Sequence, residues 1–126
     1  VIIALDIHRD AIYFSDTKRI KPTVTVNGEK AAQMMIITGC QDGNVTDFPD
    51  WETNLNFAIN LQKRANDKYE NLMKPVFFCM RKYNMDLTPY SLLIEIGTDV
   101  NTLSEAAYSA RLLGYVLSDM IKDCVK

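Results

Sequence analysis

Two stretches of three- and four-residue apolar periodicity, each set between short β-prone runs, restrict this chain more than any other feature. From Trp51 the residues Leu55, Ala58, Ile59, Gln62, Ala65 and Tyr69 fall on one helical face, and from Leu103 so do Ala106, Ala107, Ala110, Leu113, Leu117, Met120 and Ile121. Asp50 stands where a helix cap is expected, and Thr102-Leu103-Ser104-Glu105 has the capping-box form. Five apolar runs alternate with these helices. Val1 to Ile7 reads as a strand covered on both faces that runs out into His8-Arg9-Asp10. Thr23–Val26 and Glu29–Ile37 are the arms of a hairpin turned at Asn27-Gly28, the second arm continuing to Gly39. Pro75–Met80 and Ser91–Gly97 are further strands, with loops over 43–50 and 81–90. Strands separated by long helices predict an α/β fold with a mixed, partly parallel sheet flanked by helices, in which ligands sit at the carboxyl ends of strands.

At 126 residues, 48% of them apolar, one domain is expected. The net charge of −2, with both signs interspersed, offers no basic stripe for a phosphate backbone and argues against a nucleic-acid partner. No Gly-rich phosphate loop follows any strand, which disfavours a nucleotide-binding domain. Cys40, Cys79 and Cys124 have no paired spacing and read as buried free thiols. No apolar run approaches the ~20 residues of a membrane helix. The abrupt opening on Val1-Ile2-Ile3-Ala4-Leu5, with no initiator Met or signal sequence, is read as the start of a fragment of a longer protein.

Two residues ask for chemistry. His8, the one histidine, stands where a strand meets a polar cluster, and Glu95 interrupts the apolar run Ser91-Leu92-Leu93-Ile94-Glu95-Ile96-Gly97. A carboxylate in a core strand needs a cation, a metal or a raised pKa, the alternative being an ion pair to Arg9 or Arg81. If their strands are parallel neighbours, His8 and Glu95 face one crevice and make a metal-and-base pair. Arg9 reads either as a helper for a developing oxyanion or as an ion-pair partner of Asp10 or Glu95. Asn54 and Asn84 are open to substrate contact or to ordinary local roles. Asp6 and Asp10 share strand parity with His8 and read as supporting groups, Asp6 as a carboxylate able to orient the ring.

Asp6-Ile7-His8-Arg9-Asp10-Ala11, Trp51-Glu52-Thr53-Asn54-Leu55 with Phe57-Ala58, Tyr83-Asn84 with Asp86-Leu87, Leu92-Leu93-Ile94-Glu95-Ile96-Gly97 and Asn101-Thr102-Leu103-Ser104-Glu105-Ala106 occur in that order. These blocks resemble the stage II sporulation protein P family over nearly the whole chain. The resemblance implies the C-terminal portion of a zinc-dependent N-acetylmuramoyl-L-alanine amidase domain, associated also with cutting peptide cross-links. It implies Zn2+ as cofactor, His8 as a zinc ligand, Glu95 as the catalytic carboxylate, and Arg9, Asp6, Asp10 and Asn84 as substrate-contacting or supporting residues. The partners it implies are peptidoglycan stem peptides, a glycan-cleaving enzyme and a membrane scaffold of the engulfment machinery. The location it implies is outside the membrane of a spore-forming bacterium, held by an N-terminal anchor that lies outside this sequence. Two departures stand out. The family's upstream H-T-H-T-x-E block, with two further ligands, does not occur here, and Met85 occupies a position that is more often polar. The rival expectation is a non-catalytic peptidoglycan-binding or docking module of the same fold.

Overall fold

The computed structural model describes residues 2–125. A four-stranded mixed sheet is its centre, built from β1 (Ile3–Asp10), β6 (Met34–Gly39), β7 (Phe77–Cys79) and β8 (Tyr90–Thr98) in the order β1-β8-β6-β7. β1 runs parallel to β8, β6 antiparallel to β8, and β7 parallel to β6. Two small antiparallel ribbons stand beside it, β2 (Tyr13–Ser15) with β3 (Lys18–Arg19) and β4 (Thr23–Val26) with β5 (Glu29–Ala32). The mixed, partly parallel α/β sheet expected from the sequence is present.

Both helices, α1 (Trp51–Lys68) and α2 (Leu103–Cys124), pack on the same face of the sheet. The core there joins Met34, Ile36, Leu92, Ile94 and Ile96 of the sheet to Phe57, Ala58, Leu61 and Ala65 of α1 and to Ala106, Leu113, Val116 and Met120 of α2. Side chains alternate across a strand, so Asp6, His8, Met35, Ile37, Leu93 and Glu95 belong to the opposite face, which no helix covers. The sheet therefore has one helix-packed face and one face free of helices, open at His8 and Asp6 although Ile37, Leu93 and Glu95 on it are buried.

Several expectations are corrected. β1 is not covered on both faces: it is an edge strand paired only with β8, and Ile7 is 50% exposed. It also continues through His8-Arg9-Asp10, because pairing with β8 extends to Asp10↔Thr98. The arm that begins at Glu29 breaks at Gln33, whose N–H donates to the Pro22 carbonyl and whose amide donates to the Asn71 carbonyl, so the chain leaves the β4–β5 ribbon and enters the main sheet at Met34. The Asn27-Gly28 turn has the positive φ values of 50° and 84° that its dipeptide allows.

The helix faces are rotated from the expected stripes. In α1 the buried residues are Asn54, Phe57, Ala58, Leu61 and Ala65, while Ile59 faces solvent; Asp50 makes no side-chain cap, and only its carbonyl receives Asn54 N. In α2 the polar Glu105 and Ser109 are buried and Leu103 and Ile121 exposed, because Ser109 Oγ donates to the Ala32 carbonyl and Glu105 closes the capping box with Thr102. Of the cysteines, Cys40 is buried, Cys79 half-buried and Cys124 exposed, against the expectation of three buried thiols.

Candidate active site

The open face brings His8 and Glu95 together. They are direct partners in the parallel β1–β8 ladder, on strands about 4.8 Å apart, and their side chains rise on the same side. Met35 of β6 is the next residue in that row, directly opposite Glu95. Sequence runs of β-branched and apolar residues make these three strands, and Asp6, His8 and, across the ladder, Glu95 fall on one face because they share the period of two.

Glu95 is 9% exposed, and its Oε2 is buried without a hydrogen-bond partner. Among the described residues it has no ion pair. Arg9 instead donates from Nη2 to the carbonyls of Thr98, at 2.9 Å, and Asn101, while Arg81 donates to the Tyr83 hydroxyl. Both arginine partners anticipated for this carboxylate are thus engaged elsewhere, Arg9 in holding the turn that follows β8. Burial pushes the Glu95 carboxyl above the ordinary glutamate range, the negative charges of Asp10 and Asp6 push in the same direction, and His8 opposes them.

His8 is held by Asp6, whose Oδ1 lies 2.7 Å from the ring Nε2. Asp6 in turn receives Asn84 Nδ2 at 3.3 Å on its other oxygen, so Asn84, Asp6 and His8 form one chain of contacts across the open face. With the proton of a neutral ring on Nε2 and directed at a carboxylate, Nδ1 carries the lone pair, the arrangement that imidazole metal ligands use. Asp10 turns its Oδ1 to the N–H of Ala11 and acts on Glu95 through charge alone.

The 81–88 loop reaches this face because β6 ends in glycine. A Cβ on Gly39 would lie 1.6 Å from the carbonyl oxygen of Arg81, so no other residue allows the close approach. Met85 is buried beside Gly39 and plugs the loop onto the sheet, which gives this departure from the family pattern a packing role. Asn54 is not part of the site: it is fully buried under α1 on the helix-packed face, with Nδ2 donating to the Ser91 carbonyl.

A zinc centre asks for three protein ligands. The Asp6–His8 pair fits one ligand position, but among the described residues no group of three or more His, Cys, Asp or Glu side chains is placed to hold a metal ion, so these residues do not fit a complete centre. What they supply is one oriented imidazole beside one buried, unpartnered carboxylate.

Sequence reasoning missed the β2–β3 ribbon that follows β1 directly, since Tyr13-Phe14-Ser15-Asp16-Thr17-Lys18-Arg19 contains no glycine or proline to announce a turn. A family model described as stage II sporulation protein P matches residues 1–118. A Bacillus subtilis (strain 168) protein named Stage II sporulation protein P is 32% identical over an alignment 127 positions long that takes in 97% of this chain and 29% of that relative. The chain thus spans less than a third of the curated relative's length. No solved structure matches.

Proposed function

The chain belongs to the stage II sporulation protein P family, and on that premise we propose that it is the part of a zinc-dependent peptidoglycan amidase that carries the catalytic carboxylate and one metal ligand. The observation that carries this reading is the in-register pair of His8 and Glu95 on the open face, with Glu95 Oε2 lacking any partner. A structural glutamate would spend its charge on an arginine or a backbone N–H; the carboxyl of this one is pushed upward by its burial first and by Asp10 next, and its Oε2 is left without a partner.

The reaction is hydrolysis of the amide between the lactyl group of muramic acid and the L-alanine of the stem peptide. Glu95 takes a proton from the attacking water at its free oxygen and returns it to the leaving nitrogen as the C–N bond breaks. Asp6, steadied by Asn84, fixes the ring of His8 for the metal. Zinc would be held here by His8 together with ligands that the described residues do not supply, and would contribute polarisation of the scissile carbonyl and acidification of water. Cleavage of peptide cross-links uses the same groups. The setting of this activity is the outside of the membrane in a spore-forming bacterium, beside a glycan-cleaving enzyme and a membrane scaffold, with attachment through an anchor elsewhere in the protein. Among the described residues no helix is long and apolar enough to cross a membrane.

Glu95→Gln in the protein that contains this stretch tests the assignment. Muropeptide release falls by about 10² to 10⁴, with folding and zinc content unchanged. Release at the wild-type rate removes Glu95 from the mechanism. A non-catalytic peptidoglycan-binding module is the second reading, favoured by the lack of three clustered ligands among the described residues. It predicts that the wild-type protein binds sacculi and releases no muropeptides.

A further inference from the structure

The β2–β3 ribbon leaves the sheet at the carboxyl end of β1, three residues after Asp10 and five after His8. A two-stranded ribbon of this size is marginal by itself, yet this one is bolted down at its base. Ile20 N donates to the Ile12 carbonyl at 2.9 Å, Thr98 Oγ1 to the Ile20 carbonyl at 2.7 Å, and Asn101 Nδ2 to the Pro22 carbonyl at 2.9 Å. Arg19 pairs with Asp99 at 2.7 Å and lies 5.3 Å over the Tyr13 ring, while Asp99 N donates to the Asp10 carbonyl. The same turn, 98–101, receives Arg9. The ribbon and the strand ends that carry His8 and Glu95 therefore share one anchor.

What this anchoring holds out is an aromatic ring. Phe14 is 75% exposed and, among the described residues, belongs neither to the core cluster nor to a ring pair. Tyr13 pairs with Arg19 and Ser15 with Lys18, so the register slips between them and Phe14 is the extra residue with no partner on β3, at the kind of irregularity that re-aims a side chain. An exposed aromatic face on an arm hydrogen-bonded at its base offers the flat, apolar surface that the C–H face of a pyranose ring stacks on. From Asp10 to Phe14 the chain reaches at most about 14 Å, so a sugar on Phe14 stays close to the candidate site.

We propose that the β2–β3 ribbon is a glycan-binding arm of the site, Phe14 stacking on an amino-sugar ring of the glycan strand while the attached peptide lies over His8 and Glu95. This rests on the peptidoglycan reading above and adds to it where the glycan strand is held. Tyr13, Arg19 and Asp99 are positioning residues for the arm.

The test is titration of an N-acetylglucosamine tetramer into the isotope-labelled protein, with backbone amide shifts read residue by residue. Shifts centred on residues 12–20 are expected, with affinity falling about tenfold in Phe14→Ala and returning in Phe14→Trp. Phe77→Ala, on the opposite edge strand β7, is expected to bind as the wild type does. Absence of shifts in 12–20, unchanged affinity in Phe14→Ala, or loss confined to Phe77→Ala overturns the proposal. Glu95→Gln separates the two ideas, since it should bind the tetramer normally. If it still cleaves peptidoglycan while the ribbon shifts persist, the catalytic reading fails and the arm stands. If it is inactive and the ribbon does not shift, the arm fails alone.

Discussion

Two glutamates are buried in this chain, and they are treated in opposite ways. Glu105, 5% exposed at the start of α2, receives Asn101 Nδ2 at 2.9 Å, the Thr102 N–H at 3.2 Å and Lys21 Nζ at 3.1 Å. These bonds, Asn101 first and Lys21 next, hold its carboxyl below the ordinary glutamate range. Glu95, on the open face of β8, has one oxygen with no partner and a carboxyl pushed upward by burial and by Asp10. Burying a charge for stability means surrounding it with donors; burying one for proton transfer means withholding them. The two sit ten residues apart and are joined through Gly97 and Asn101, so the contrast is open to direct perturbation.

The largest stability effect is expected at that junction. Gly97 has φ +64°, and a Cβ there would lie 2.3 Å from Asn101 Oδ1 and 2.7 Å from the Ala32 Cβ. Gly97→Ala should cost about 3 kcal/mol, measured by denaturant unfolding, and should disturb amide signals around both glutamates at once. A loss confined to one of the two regions would show that they are not coupled through this turn.

Next is Glu105→Ala, which removes half of the capping box, takes away one of the two acceptors of Asn101 Nδ2 and deprives Lys21 of its ion pair. A cost of about 1–2 kcal/mol is expected at pH 7. A carboxyl with a lowered folded-state pKa contributes stability above its unfolded value and loses it as pH falls through the folded value. The difference between wild type and variant should therefore shrink only in acid, below the ordinary glutamate range.

Smaller, and opposite in sign, is the stability effect of Glu95→Gln: a gain of about 1 kcal/mol at pH 7, because a buried carboxylate lacking donors is replaced by a neutral amide. A carboxyl with a raised folded-state pKa is stabilising below its unfolded value, and that contribution is lost as pH rises through the folded one. The gain should accordingly disappear as pH falls, in a window above the ordinary glutamate range. Destabilisation by Glu95→Gln at pH 7 would mean that Glu95 is a structural residue like Glu105.

Much of this contrast was legible in the chain. The Thr102-Leu103-Ser104-Glu105 box announced the role of Glu105, and the misfit of Glu95 in an apolar run announced that it needed explaining. The pairing of His8 with Glu95 followed from two strands of the right length once they lay parallel. Less visible was whatever distant partners decide. Gln33 ends one ribbon through Pro22 and through Asn71, 38 positions on, and Arg9 abandons the carboxylates for two carbonyls 89 and 92 positions away. Ser109 turns α2 from its most apolar stripe because it meets the Ala32 carbonyl, a contact that no helical period encodes. Nor does a local pattern say that both helices choose one face, which is what leaves the other open for His8 and Glu95.

The most direct test of the account is a carboxyl-carbon NMR titration of the two glutamates in one metal-free sample. Glu95 should titrate above the ordinary glutamate range and Glu105 below it, in the same protein and the same tubes. Glu95 titrating at or below the position of Glu105 would contradict the claim that the open face keeps an unpartnered base beside His8.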